Sequence, residues 1–208
     1  MKDIKEIKVN KLLKMQIIVI VGCIILGTLL HFTYKWSGEN LFVASFSAVN
    51  ESVWEHLKLV FYPMLIMAII EYSFIKNIAN NYIEAKTIGI FIAMSFMVVS
   101  FFTYTGIIGT NFATINILIF IISIILGEWG SYKLMRRKSE STILTKVLAG
   151  IITIFFMICF IFCTYYTPEV NLFRDFSNGE FGINNEKQKK LSTAFDIKVD
   201  KYVKKTIK

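Results

Sequence analysis

The stretch NESVWEHLK, Asn50 to Lys58, sets two glutamates, a histidine, an asparagine and a lysine between apolar runs. The chain has only one other histidine, His31. Imidazole and carboxylate together can hold a divalent metal such as Zn²⁺ and leave a position open for water. His31 and His56 are therefore the candidate metal ligands, and Glu51 and Glu55 the candidate general bases. On a helix of about 100° per residue, Glu51 and Glu55 share one face with Lys58 near it, while Ser52 and His56 share another. One helix cannot aim both carboxylates and His56 at one point, so His31 or a loop group must complete any site. The plainer reading has three parts: Glu51, Glu55 and Lys58 form a solvated ion-paired face, Ser52 bonds His56, and Asn50 caps the helix.

Two further acids lie inside apolar runs, Glu71 in AIIEYSF and Glu128 in ILGEWGSY. A charge in hydrocarbon is costly, so each must face a cavity or partner, carry a proton, or reach the interface. Glu128, close to Lys133, is expected to snorkel to the interface. Glu71 lies within about 60° of His56 on the wheel, so a polar path along that helix is conceivable. Cys23, Cys159 and Cys163 all sit in apolar runs without CxxC spacing and are expected to be packing residues.

The elements that hold these residues are membrane spans. Of the 208 residues, 55% are hydrophobic and 18% charged, and the mean hydropathy is +0.57, values of a polytopic membrane protein. The predicted fold is an all-α transmembrane bundle with five spans at about 15–32, 59–75, 87–104, 112–129 and 144–165. Residues 1–14 form a basic N-terminal segment, 15–165 the bundle, and 166–208 a tail. Pro63 near the start of the second span is expected to bend it only slightly. The segment LFVASFSAVN, Leu41 to Asn50, is too short to cross and too apolar for water, so a re-entrant or interfacial segment is expected.

The formal charge of +8 is spread over span ends and the tail, a pattern of membrane topology, and no nucleic-acid partner is expected. Five lysines in residues 1–14, then Lys76 and Lys86, then Lys133, Arg136, Arg137, Lys138 and Lys146 mark the cytoplasmic side. Lys35 and Lys58 are the basic residues assigned to the outer loops. The N-terminus is thus placed in the cytoplasm and the C-terminus outside, with His31 and Asn50–Lys58 on the outer side. From about residue 185, Leu191, Phe195, Val199, Tyr202 and Ile207 recur among lysines, as in a basic amphipathic helix on lipid or a solvated tail. Trp36, Trp54 and Trp129 fall near span ends as an interfacial belt.

The string FSAVNESVWEHLK within His31–Tyr72, and TYYTPEVNLFRDFSNGEFGI at Thr164–Ile183, resemble an uncharacterised family of small bacterial polytopic membrane proteins, of the domain-of-unknown-function kind. Lys35 stands where that pattern usually has an acid, and Thr167 and Phe176 where it has proline, so no carboxylate role is carried to position 35. The resemblance implies a multi-pass protein of the bacterial plasma membrane whose two motifs meet on one side. Arg174 or Asp175 would then pair with Glu51, Glu55 or Lys58. It brings no activity. The function favoured is binding of a small molecule, lipid, ion or partner at an outer polar mouth lined by Asn50, Ser52, Trp54 and Lys58. A metal-dependent enzyme acting on lipid or a small amphiphile stays open, as does a small proton- or cation-coupled transporter using Glu71.

Overall fold

The first apolar run carries helix well beyond its own limits: α1 spans Lys2–Trp36. The computed structural model describes residues 2–137 and 141–183, with side chains from residue 9 onward. The amphipathic segment expected from about residue 185 lies outside the described residues, as does Lys138. α1 ends where Gly38 and Glu39 take positive φ and the amides of Ser37, Gly38 and Glu39 turn back onto its last carbonyls. Asn40 caps the four-residue α2, Leu41–Ala44, by accepting a bond from the Phe42 amide. This short turn is what the apolar segment 41–50 becomes, and it lies across the end of the bundle.

Four long helices follow, α3 at Val53–Ile75, α4 at Tyr82–Ile108, α5 at Ala113–Arg136 and α6 at Ile143–Tyr165. Five helices, Val9–Trp36 and α3 to α6, are long and apolar enough to cross a membrane, and the described residues contain no strand. The protein is an all-helical bundle of membrane-spanning type. After α6 come a single 3-10 turn at Asn171–Phe173 and a tight loop closed by a bridge between Arg174 and Phe181.

Small residues let the helices close on each other. On α4 a Cβ at Gly89 would stand 2.6 Å from the Gly127 carbonyl of α5, and one at Gly127 2.5 Å from the Gly89 carbonyl. These two helices share the most extensive contact in the bundle. Gly27 plays the same part between α1 and α3, where a Cβ would meet the Leu59 carbonyl at 2.5 Å. Leu59 is four residues before Pro63, which has no amide hydrogen to bond it. The carbonyl freed by the proline therefore faces the backbone of α1 at Gly27. α6 buries only Ala149, Phe160 and Thr164 and presents an otherwise apolar outer face, as suits lipid.

Two lysines expected in loops are inside helices. Lys58, assigned to an outer loop, and Lys86, assigned to a cytoplasmic one, are both buried in the bundle. Each has carboxylate partners on the bundle's own helices, which a count of span-end charges cannot register.

Candidate functional site

The helix cap is Ser52, not Asn50. Ser52 Oγ accepts from the Glu55 amide at 3.3 Å, and Asn50 Oδ1 accepts from the Ser52 amide at 3.0 Å, forming an Asx turn just upstream. Glu51 therefore precedes α3 and is not held to its wheel. The face expected to be shared by Glu51 and Glu55 does not form, and the two carboxylates go in different directions.

Glu55 turns inward. Its side chain is 4% exposed and pairs with Lys58 Nζ at 2.6 Å. The Val49 amide also donates to it, the Thr164 hydroxyl divides its proton between it at 3.3 Å and the Phe160 carbonyl at 2.7 Å, and Lys58 donates to the carbonyls of Ala44 and Ser47. The solvated face expected for Glu55 and Lys58 is a buried pair that fastens α2 and the loop after it to α3. Buried charges of this kind are tolerated because every ammonium proton and the carboxylate oxygens have partners.

Glu51 turns toward the histidines. His31 Nε2 lies 3.8 Å from Glu51 Oε1, and His56 Nε2 lies 3.5 Å from Glu51 Oε2. One ligand atom from each of the three residues falls within 4.8 Å of the others. The imidazole rings are 5.3 Å apart, and all three side chains are half-buried to exposed. His56 Nδ1 lies 2.8 Å from the Ser52 carbonyl, which can only accept, so Nδ1 carries a proton and donates there, and Nε2 is the ring nitrogen turned toward Glu51. The same cap that starts α3 thus fixes the tautomer of His56. His31 Nδ1 is buried without a hydrogen-bond partner among the described residues.

The loop after α6 clamps Glu51 from the other side. Asp175 Oδ2 accepts from the Glu51 amide at 3.1 Å, and Asn50 Nδ2 donates to the Gly182 carbonyl at 3.0 Å. Burial pushes the Asp175 carboxyl up, but bonds from the Ser177 hydroxyl and amide and from the Glu51 amide outweigh it and hold the group below the usual carboxylate range. Arg174 does not join in. Its guanidinium lies over Gly179, and among the described residues no ion pair links it to Glu51, Glu55 or Lys58. Trp54 is not a lining residue either; its indole packs between Phe160 and Phe173 with ring centres 4.8 and 4.7 Å away, supporting the tail loop from below.

Glu51 borders two cavities. One of about 150 Å³ is walled by His56, Met97, Phe101, Asn116 and Phe176. The other, of about 290 Å³, lies among His31, Lys35, Asn50, Asp175 and Glu180. Asn116, at the start of α5, accepts from the Tyr104 hydroxyl.

The profile of a family of unknown function, DUF6512, matches residues 1–183. The chain belongs to this family. No curated protein and no solved structure matches it.

In this DUF6512 protein the deeper acids form a second cluster, at the opposite end of the bundle. Glu128, expected at the interface, is fully buried and pairs with Lys86 at 2.5 Å, and Glu71 pairs with the same ammonium at 2.6 Å. Two carboxylates of α3 and α5 hold the lysine between them, so none needs to reach the interface. Among the described residues no polar path joins the two ends along α3, because Val60, Met64 and Met67 occupy the side of the helix between His56 and Glu71. Gln16 and Tyr82, which complete this cluster, were not singled out from the sequence. Gln16 is a lone amide in the run MQIIVIV, and that isolation is the signal it offered.

Proposed function

We propose that this membrane protein binds a divalent transition-metal ion, zinc by ligand type, through His31 Nε2, His56 Nε2 and the Glu51 carboxylate. The observation that carries the reading is the convergence of these three ligand atoms within 4.8 Å, with the His56 tautomer set by the Ser52 carbonyl. An imidazole whose Nδ1–H bonds a backbone carbonyl is the usual outer-shell arrangement of a metal-ligating histidine. Zinc bonds of about 2.0–2.2 Å require the three atoms to draw closer, a rotamer adjustment that a half-exposed glutamate ahead of its helix can make. Three protein ligands leave at least one position open, facing the cavities on either side of Glu51.

The metal's role is to hold a small polar group there. Glu51 is occupied as a ligand and Glu55 is tied to Lys58, which leaves neither of the expected general bases free. The second reading, a metal-dependent hydrolase of an amphiphile, is favoured by one feature: the smaller cavity has Met97, Phe101, Ile119 and Phe176 along its wall, an apolar lining beside the open position. We read the basic residues at the N-terminus and near the end of α5 as marking a cytoplasmic N-terminus, and on that reading the proposed centre faces the extracytoplasmic side of a bacterial plasma membrane.

Metal analysis of the detergent-purified chain tests the proposal. About one equivalent of zinc is expected in the wild type after exposure to the ion, with the content lost in His31→Ala, His56→Ala and Glu51→Gln and kept in Glu180→Gln. Folded wild-type protein that retains no metal would overturn it.

A further inference from the structure

Five polar side chains meet inside the bundle about 22 Å along α3 from His56, and their protons fall one short. Lys86 Nζ has three protons and three oxygen neighbours: Glu71 Oε2 at 2.6 Å, Glu128 Oε2 at 2.5 Å and Gln16 Oε1 at 3.4 Å. Gln16 Nε2 donates to Glu71 Oε1 at 2.5 Å. The Tyr82 hydroxyl has one proton and two oxygen neighbours, the Ala68 carbonyl at 2.7 Å and Glu71 Oε2 at 3.0 Å. A carbonyl oxygen and an ionised carboxylate oxygen both only accept, so the single phenol proton is divided between them, with the carbonyl the nearer. One phenol proton therefore serves two acceptors, and the cluster has one donor fewer than its contacts call for.

Charge gives the same count. Glu71 and Glu128 are fully buried, and one ammonium faces both of them. With both carboxylates ionised, a whole negative charge would remain among Val19, Ile75, Tyr82, Ala85 and Ile124. Burying an unpaired carboxylate costs far more than burying its neutral acid. Glu128 Oε1 is buried with no donor reaching it among the described residues, so nothing there offsets that charge. The groups facing the cluster are Gln16 and Cys23 from α1, Glu71 from α3, Tyr82 and Lys86 from α4, and Glu128 from α5. From α6, Thr153 borders a groove of about 350 Å³ that reaches Tyr82 and Lys86 from the lipid-facing side.

We propose that Glu71, Lys86 and Glu128 form an intramembrane proton-binding site that holds one proton at neutral pH, carried by the pair of buried carboxyls that share the one ammonium. Binding is the reaction of one carboxylate with one proton, giving a neutral acid beside a balanced pair of Lys86 with the other carboxylate. Because the site is separate from the histidines, its occupancy does not depend on the metal.

Infrared spectroscopy of the full chain in lipid tests this directly. At pH 7 the wild type should show one protonated-carboxyl C=O band that shifts in D₂O and with ¹³C-glutamate labelling, and that is unchanged by a chelator. Glu71→Gln and Glu128→Gln should each abolish it, since either leaves one carboxylate against one ammonium. Lys86→Met should double it. The amide I band of the same samples reports folding, and a misfolded variant is replaced by the other glutamine substitution. A wild type with no such band, a band that survives both glutamine substitutions, or a band that sodium ions remove would each overturn the proposal.

Discussion

Replacing Lys58 by methionine tests how the candidate site is held in place. The side chain is fully buried, and its ammonium spends all three protons on Glu55 Oε2, the Ala44 carbonyl and the Ser47 carbonyl. Lys58→Met keeps most of the volume but leaves the Glu55 carboxylate buried with only the Val49 amide and the Thr164 hydroxyl as donors. Breaking one side of a buried ion pair costs about 3–5 kcal/mol, or roughly two to three and a half decades in the unfolding equilibrium. Relaxation of the 44–47 loop toward water keeps the two orphaned carbonyls from adding their full penalty. The assay is equilibrium unfolding in detergent micelles, followed by tryptophan fluorescence. The double variant Glu55→Gln/Lys58→Met removes both charges and should recover at least about 1–2 kcal/mol of the loss, a coupling that marks the pair. The loop that Lys58 fastens leads into Asn50 and Glu51, so the single variant should also bind zinc more weakly although Lys58 touches no ligand. A Lys58→Met protein within about 0.5 kcal/mol of wild type would refute the reasoning.

Other substitutions separate the remaining contacts. Ser52→Ala should cost about 0.5–2 kcal/mol through the lost cap but leave metal binding nearly intact, because the His56 proton is held by the Ser52 backbone carbonyl; zinc titration beside thermal unfolding decides it. Gly89→Ala would place a Cβ 1.9 Å from Ser131 Oγ and 2.6 Å from the Gly127 carbonyl, and should cost about 1–3 kcal/mol by forcing α4 and α5 apart. Gly106→Ala, which meets nothing within 4 Å, should be neutral or stabilising in the same unfolding assay. Asp175 has a depressed pKa in the folded chain, so its contribution is complete above the unfolded value of about 3.9 and lost as pH falls through the folded one. Trp54 fluorescence, reporting the Phe173 contact, should therefore change below about pH 4 in the wild type and lose that step in Asp175→Asn.

The five spans were legible because hydropathy integrates over many residues and no single one decides it. Their ends were less so. The apolar run of the second span was placed from about residue 59, with Asn50 as cap and the helix running through Glu51–Lys58 ahead of it, yet α3 begins at Val53 with Ser52 as its cap. The pattern Ser-x-x-Glu at 52–55 carried that signal, and taking Asn50 as the cap shifted Glu51 onto a helix it precedes. That one displacement decides the site: a loop glutamate can reach two histidines on two helices, whereas a helical one could not. Lys58 and Lys86 escaped for a different reason. A lysine near a span end looks solvated from sequence alone: the carboxylates of Lys86 lie on other helices, and the pairing of Lys58 with Glu55 on its own helix is buried only when the 44–49 loop and α6 pack over it. For the same reason Glu128 was expected at the interface. The tail loop's approach to the Asn50–Ser52 turn was anticipated from the resemblance, but through side-chain ion pairs; Asp175 instead takes the Glu51 backbone amide.

X-ray absorption at the zinc edge, on the zinc-loaded full chain in detergent, addresses the proposed centre most directly. The expected first shell has two imidazole nitrogens at about 2.0–2.1 Å and carboxylate or solvent oxygen at about 2.0–2.2 Å, with the imidazole scattering halved in His31→Ala or His56→Ala. A shell of sulfur or of oxygen alone, or failure of the folded protein to take up stoichiometric zinc, would contradict the account.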